Sequence, residues 1–175
     1  MQLTLQNIAP VQTDAVISLD GRYRYALTRR WARDDKRAVV FVMLNPSTAD
    51  ADVDDATVRK CIGFAKRWGF GGLVIVNLFA LRSTDPAALL KFEAPVGPEN
   101  DNWVQAFTQD LNDMIVVAWG CHGAVHRERV DHVVSHLQRP VMCLGTSQSG
   151  HPRHPLYVSY STVARPWSIA ELSHG

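Results

Sequence analysis

Apolar residues along the chain fall into short runs separated by polar segments of helical periodicity. Four near-continuous apolar runs predict strands that are buried on both faces: Arg37–Leu44, Leu73–Asn77, Met114–Trp119 and Val141–Leu144. Predicted helices lie between or after them: Asp54–Trp68, Pro86–Lys91, Pro98–Asn112 and Gly123–Gln138. Residues 145–155 form a loop rich in Gly, Ser, Pro and His, and Tyr157–Tyr160 is a candidate edge strand.

A β-hairpin is predicted before the first buried strand. Its two strands, Val16–Leu19 and Tyr23–Thr28, flank Asp20-Gly21, which favours a two-residue turn. Strands that alternate with helices predict an α/β fold. We therefore expect a three-layer α/β/α architecture with a four-stranded parallel central sheet, preceded by this N-terminal β-hairpin. We find no linker, repeat or low-complexity segment, so residues 1–175 are expected to form a single domain.

The composition of the 175 residues is that of a globular protein, with 46% apolar and 20% charged residues. No apolar run approaches the roughly 20 residues that a membrane span needs, so no membrane partner is expected. The N-terminus has no secretory signal pattern. Cys61, Cys121 and Cys143 are odd in number and widely spaced, which predicts a reduced, cytoplasmic chain. The oligomeric state is left open.

Positive charge is concentrated in one segment, although the net charge of the chain is only +1. Seven of the 18 Lys and Arg residues lie between Arg22 and Arg37, against Asp34 and Asp35. Such a strip can contact a few phosphates, or it can be a solvated hairpin face. It does not predict tight binding of duplex nucleic acid by charge alone.

Polar groups follow each predicted buried strand, at the edge of the sheet where open α/β folds bind ligands. They are candidate substrate-binding or catalytic residues: Asn45, Pro46, Ser47 and Thr48 after the first strand, Asn77 and Arg82 after the second, His122 after the third, and His151, Arg153 and His154 after the fourth. Their occurrence at successive strand ends predicts one shared crevice.

Most of these residues also have an ordinary structural interpretation. Asn45 can open a turn, and Asn77 can either cap a loop or read the edge of a nucleobase. The aspartates Asp50, Asp52, Asp54 and Asp55 suit a helix N-terminus, while one of them is a candidate general base or metal ligand. The His122/His126 and His132/His136 spacings are compatible with metal binding, but no Glu follows the first His as in zincins. No metal or cofactor is predicted.

Two family resemblances rest on these motifs. The run from Met43 to Pro86, with PVGPEND, AWGCHGA and GHPRHPLY, resembles the bacterial family labelled domain of unknown function 1643, which brings no established activity. More distantly, the motif order resembles the uracil-DNA glycosylase superfamily. The corresponding residues are Leu44-Asn45-Pro46-Ser47, Val74-Ile75-Val76-Asn77, Val117-Ala118-Trp119-Gly120, and His151-Pro152 or His154-Pro155.

The glycosylase resemblance implies roles for individual residues. Asn45 would orient water, Asn77 would bind the base edge, and His154, or else His151, would stabilise the oxyanion of the departing base. Asp54 is a further candidate catalytic residue, and Asp55 a supporting one. Asn45 stands where faster members of the superfamily have an acid, which implies weak or altered catalysis. Leu156 is the candidate for the side chain that enters the base stack.

These observations together predict a nucleobase-directed protein. The expected activity is N-glycosidic hydrolysis of a nucleoside, a nucleotide or a modified base, and the expected partner is a nucleobase-containing ligand, including single-stranded or modified nucleic acid. Two alternatives remain: a non-catalytic module that binds a nucleotide or modified base, and a metal-dependent hydrolase built on the aspartates and helix histidines.

Overall fold

The computed structural model describes residues 12–47, 49–110, 113–137 and 140–172. Within these residues the strands are β1 (Gln12–Ile17), β2 (Arg24–Arg30), β3 (Ala38–Met43), β4 (Gly72–Asn77), β5 (Met114–Val117), β6 (Val141–Cys143) and β7 (Arg165–Trp167). The α-helices are α1 (Ala56–Arg67), α2 (Ala88–Lys91), α3 (Asn100–Thr108) and α4 (Arg127–His136). In the same described residues, 3₁₀ helices cover Cys121–His126, Pro155–Tyr157 and Ile169–Glu171.

The seven strands in the described part of the chain form one mixed sheet of order β1-β2-β4-β3-β5-β6-β7. The predicted four-stranded parallel central sheet with a separate N-terminal hairpin is therefore wrong. Strands β4, β3, β5 and β6 pair in parallel, but β2 pairs with β4, β1 with β2 and β7 with β6 in antiparallel fashion. The added strands supply backbone partners to edges that a purely parallel sheet would leave open.

Side-chain alternation in the central strands sorts the core into two layers. In β3, Val39, Phe41 and Met43 pack in the layer of α1, whereas Val40 and Val42 pack in the opposite layer. All six residues of β3 are buried, as expected for a strand covered on both faces. Strand β4 pairs with β3 in register, so that Asn77 lies beside Met43.

The chain leaves neighbouring strands toward opposite faces of the sheet. After β3, helix α1 packs Val58 and Phe64 into one layer. After the neighbouring β5, helix α4 packs Val130 and Val133 into the other layer. Adjacent strands whose connections diverge in this way leave a crevice at their carboxyl ends, which is where ligands bind in open α/β sheets.

Several predicted boundaries differ from the structure. Tyr157–Tyr160 is not an edge strand; β7 takes that place, although Pro166 lies in it, because an edge strand tolerates a missing donor. The hairpin closes through the bond from Ser18 N to Tyr23 O, so its loop is longer than the two-residue turn predicted. The predicted helix Gly123–Gln138 begins as a 3₁₀ helix, and its last residue lies outside the described residues. So do the last two residues of the predicted helix Pro98–Asn112.

Among the helices of the described residues, none combines the length and the apolar character that crossing a bilayer requires.

Candidate functional site

A cavity of about 580 Å³ opens at the carboxyl ends of β3, β4 and β5. This volume lies within the range of small-molecule sites. The structure brings eight of the predicted residues into its lining: Asn45, Ser47, Asp55, Asn77, His122, His151, Arg153 and His154. It leaves Pro46, Arg82 and Asp54 out of the lining, and Thr48 lies outside the described residues.

Asn77 ends strand β4 and is 1% exposed. Its amide Nδ2 is buried and has no hydrogen-bond partner among the described residues, although the residue lines the cavity. The neighbouring backbone is held by Asn100, whose Nδ2 donates to the carbonyl oxygens of Asn77 and Leu78 at 3.0 and 3.1 Å. A buried donor without a partner costs about 1–3 kcal/mol, so a ligand that accepts from Nδ2 would recover that cost.

His154 lies at the start of the 3₁₀ helix Pro155–Tyr157, where its Nδ1 accepts a hydrogen bond from the backbone N–H of Leu156 at 3.3 Å. Nδ1 therefore carries no proton, and in the neutral ring the proton is on Nε2. Burial lowers the pKa of His154 to about 4, Asp55 acts to raise it, and His122 lowers it further. At neutral pH the side chain is an uncharged donor.

His151 is buried, with 5% of its surface exposed, and it is oriented by two contacts. The indole N–H of Trp119 approaches its Nδ1 at 3.4 Å, and its own backbone N–H donates to the Ser147 hydroxyl at 3.2 Å. Burial lowers the pKa of His151 as well. Gly123 is required here because a Cβ at this position would overlap the Trp119 ring and approach His151 Nδ1.

The loop that carries both histidines is held against the end of β5. Gly120 N donates to Pro152 O at 2.9 Å, and Arg153 N donates to Gly145 O at 2.9 Å. Gly120 has a φ of +78°, a conformation that favours glycine. These bonds fix the imidazoles relative to the carboxyl ends of the strands.

Two adjacent aspartates have different surroundings. The carboxylate of Asp54 forms an ion pair with the buried Arg29 at 2.8 Å and is not part of the lining. The catalytic role predicted for Asp54 therefore gains no support from its position. Asp55 caps helix α1 through a bond from Val58 N to its Oδ1 at 2.8 Å, and it does line the cavity. Asp55 is thus the carboxylate placed to act on a ligand.

The amide nitrogen of Asn45 donates hydrogen bonds to backbone carbonyl oxygens of the protein. Its Nδ2 donates to Ser83 O at 2.9 Å and to Pro46 O at 3.2 Å. These bonds set which end of the amide faces the cavity, and they leave Oδ1 as the atom that can accept a hydrogen bond from water.

Arg24 lines the same cavity from strand β2 and is 3% exposed. Its Nη1 donates to Ala49 O at 2.5 Å, while its buried Nε has no partner in the part of the chain that the structure describes. Burial lowers the pKa of Arg24 to about 10, and Asp55 acts to raise it. Sequence reasoning missed this residue, because its place in the basic segment Arg22–Arg37 is equally typical of a solvated hairpin face.

Metal ligands are not assembled in the parts of the chain described: no group of three or more His, Cys, Asp or Glu residues there could hold an ion. The aspartates and helix histidines behind the metal-dependent alternative are therefore not gathered into such a set. In particular, His132 contacts Asp101 on the surface at 3.0 Å, away from the cavity lining.

Comparisons with known proteins give one positive finding. Neither the curated proteins nor the solved structures contain a match to this chain. A family model does match, over residues 24–156, which include every lining residue of the cavity except Tyr157. The chain belongs to the family described as Protein of unknown function (DUF1643).

Proposed function

We propose that this protein acts on a nucleobase-containing ligand, as an N-glycosidic hydrolase of a nucleoside, a nucleotide or a modified base in nucleic acid. The observation that carries the proposal is that Asn77 lines the cavity and that its buried Nδ2 has no hydrogen-bond partner among the described residues. A buried polar donor without a protein partner in this position is suited to a ligand that brings its own acceptor.

A carboxamide matches the edge of a planar heterocycle, because it offers donors and an acceptor in one plane. Nδ2 of Asn77 would donate to a ring carbonyl or ring nitrogen, and its Oδ1 would accept from a ring N–H or an exocyclic amine. Trp119, which is 1% exposed and lines the cavity, supplies an apolar surface beside these polar contacts. The base has to be free or out of a helical stack to reach them.

The chemistry assigned to the site is hydrolysis of the bond between C1′ of the sugar and a ring nitrogen. The bonding electrons leave with the base, so positive charge develops on the sugar and negative charge on the base oxygen. His154 would donate from Nε2 to that oxygen as an uncharged group. A neutral donor stabilises the developing anion through a hydrogen bond, without the cost of keeping a cation in a buried position.

Water would complete the reaction at C1′. Asn45 Oδ1 would orient the water molecule, and the carboxylate of Asp55 would take its proton as the new C–O bond forms. The departed base would then be reprotonated from solvent. An amide cannot take a proton from water, so Asp55 would act as the general base. Asn45 would only position the water molecule.

The resemblance of the motif order to uracil-DNA glycosylases supports the same chemistry. It associates a strand-end Asn, a first-motif Asn-Pro and a late His-Pro with base release, and here Asn77, Asn45 and His154 all line one cavity. The non-catalytic binding module remains the alternative. It is favoured by the hydrogen bonds that tie Asn45 Nδ2 to backbone carbonyls where faster glycosylases have an acid.

The test is release of free base from a panel of nucleosides, nucleoside monophosphates and single-stranded oligonucleotides, separated by chromatography. Wild-type protein is compared with Asn77→Ala, His154→Ala and Asp55→Asn, and with His136→Ala as a matched control outside the cavity. We expect the three cavity variants to lose at least about 10-fold in rate. His136→Ala should leave the rate unchanged.

Binding is measured in parallel by calorimetry with the same compounds. Binding that depends on Asn77 without any release would support the binding module and overturn the hydrolase. Absence of both binding and release across the panel would overturn the proposal for nucleobases altogether.

A further inference from the structure

The geometry points to an anion subsite at Arg24 that takes the terminal phosphate of a nucleotide. This inference deepens the proposed function by naming a nucleoside monophosphate as the substrate class. It rests on the proposed function for the binding of the nucleobase. The subsite itself can be tested with inorganic phosphate alone, without any assumption about the base.

Two arginines are buried on strand β2, and only one has a full set of protein partners. Arg29, 1% exposed, is paired with Asp54 and also donates to the carbonyl oxygens of Asp50 and Thr28. Arg24, 3% exposed, has the single bond to Ala49 O and forms no salt bridge with any described residue. Its Nε is buried and unpartnered. A buried cation in this state is costly unless an anion joins it.

The carboxylates near Arg24 form no salt bridge with it. Asp55 accepts from Val58 N as the cap of helix α1, and Asp50 accepts from the backbone N–H groups of Asp52 and Val53. Both act on Arg24 only at longer range. The guanidinium of Arg24 thus has no anionic partner among the described residues. Because Arg24 lines the cavity, a bound anion would approach it from there.

A phosphate monoester is the anion that this arrangement fits best. The planar guanidinium donates in parallel to two oxygens of a phosphate group. Arg24 is almost completely buried, so little space surrounds its guanidinium. A terminal phosphate can enter this space because only one side of it is attached to the rest of the ligand. An internal phosphodiester would have to bring its flanking nucleotides into the same cavity. The net charge of +1 also gives no field for a long polyanion.

The experiment compares ligands that differ only in the phosphate. Five nucleosides, their 5′-monophosphates and trinucleotides with an internal phosphate are titrated against wild type, Arg24→Gln and Arg22→Gln by calorimetry. Arg22 is exposed and two residues away, so its substitution removes the same charge outside the cavity. Inorganic phosphate is titrated separately and followed by the thermal midpoint of unfolding.

We expect at least one monophosphate to bind wild type about 10-fold or more tightly than its nucleoside, as a charge-assisted hydrogen bond allows. Arg24→Gln should abolish that difference and change nucleoside affinity less than about threefold, whereas Arg22→Gln should retain it. Inorganic phosphate should raise the midpoint of wild type and of Arg22→Gln but not of Arg24→Gln.

The outcomes separate this inference from the proposed function. Equal affinity for nucleoside and monophosphate would overturn the subsite and leave the base-binding proposal standing. Preference for the trinucleotide would overturn the terminal phosphate. If no nucleoside or nucleotide binds, the proposed function fails, and with it the substrate class named here. The inorganic phosphate titration then decides the anion subsite alone.

Arg24→Lys provides a variant that keeps the buried charge if Arg24→Gln does not fold. Lysine cannot donate in parallel from a planar group, so the preference for the monophosphate should fall about three- to tenfold. A preference as large as that of wild type would contradict bidentate binding at Arg24.

Discussion

The backbone N–H of Leu156 donates to Nδ1 of His154 at 3.3 Å, and this contact fixes the protonation pattern of the histidine. A ring nitrogen that accepts a hydrogen bond has no proton, so Nε2 is the donor that the ring presents. Burial reinforces this state by lowering the pKa of the ring to about 4. The loop thus presents a neutral hydrogen-bond donor over the physiological range of pH.

The first prediction concerns the titration of His154. Nitrogen-detected NMR should show the Nε2–H tautomer at neutral pH and a pKa near 4, against about 6.5 for an ordinary histidine. Between these two pH values, His154 binds more protons in the unfolded chain than in the folded chain. The free energy of unfolding should therefore fall as the pH is lowered from about 6.5 to about 4.

His154→Gln should make that pH dependence shallower, because it removes the group with the lowered pKa. His136→Gln, a substitution of an exposed histidine on α4 outside the cavity lining, is the matched control for the loss of an imidazole. A His154 pKa of 6 or above, or an Nδ1–H tautomer, would contradict the role assigned to the contact with Leu156.

The second prediction separates the two neighbouring aspartates. Asp54→Asn breaks the ion pair with Arg29, so we expect it to lower the free energy of unfolding by about 1–3 kcal/mol while ligand binding is retained. Asp55→Asn keeps a side chain that caps helix α1 well, so its stability should change by less than about 0.5 kcal/mol. Its rate of base release should fall at least about 10-fold.

Denaturation with urea and a base-release assay on the same preparations measure both effects. The reverse result, with Asp54→Asn inactive but stable, would return the catalytic role to Asp54. If both variants keep full activity, neither carboxylate acts as the base.

The central strands and most of the strand-end residues could be predicted because their signals are local. Near-continuous apolar runs identify strands buried on two faces, and residues that follow such strands must lie at one edge of the sheet. This reasoning predicts that Asn45, Asn77 and His154 share one crevice, and all three line the cavity.

The features that the sequence does not predict depend on tertiary contacts. Strand β7 contains Pro166 and has only three residues, so its pairing with β6 has no local pattern. Arg24 and Arg29 lie in the basic segment Arg22–Arg37, and only the fold shows that both are buried. Asp54 and Asp55 are adjacent in sequence, and the position of Arg29 alone determines which carboxylate is taken up by an ion pair.

The third prediction tests whether an acid at residue 45 would improve the site. In Asn45→Asp, a carboxylate oxygen would replace the amide nitrogen that donates to Ser83 O and Pro46 O. The carboxylate oxygen would then face these carbonyl oxygens, and all of them are acceptors. We therefore expect the free energy of unfolding to fall by about 1–3 kcal/mol, with no gain in the rate of base release.

Asn102→Asp makes the same chemical change at an exposed position near the start of α3, where it should alter stability by less than about 0.5 kcal/mol. Urea denaturation and the base-release assay give the two readouts. Faster release by Asn45→Asp without loss of stability would show that the amide is a weak substitute for an acid at this position.

The last prediction compares two glycines that have similar positive φ angles but different surroundings. Gly150 and Gly21 have φ values of +79° and +71°. A Cβ on Gly21 meets nothing within 4 Å, so Gly21→Ala carries only the strain of the left-handed conformation, about 1–2 kcal/mol. A Cβ on Gly150 would overlap the carbonyl group of Glu171, so Gly150→Ala should cost about 3 kcal/mol or more.

The position of Gly150 makes its substitution a test of the site as well as of stability. Its carbonyl oxygen accepts from the Trp167 indole at 3.0 Å, and its N–H donates to Ser147 O at 3.0 Å. Displacing it would move the loop that orients His151 through Ser147. Gly150→Ala should therefore lose ligand binding even at temperatures where it remains folded, whereas Gly21→Ala should bind as wild type does. Equal stability of the two variants in urea denaturation would contradict the close packing of Gly150 against Glu171.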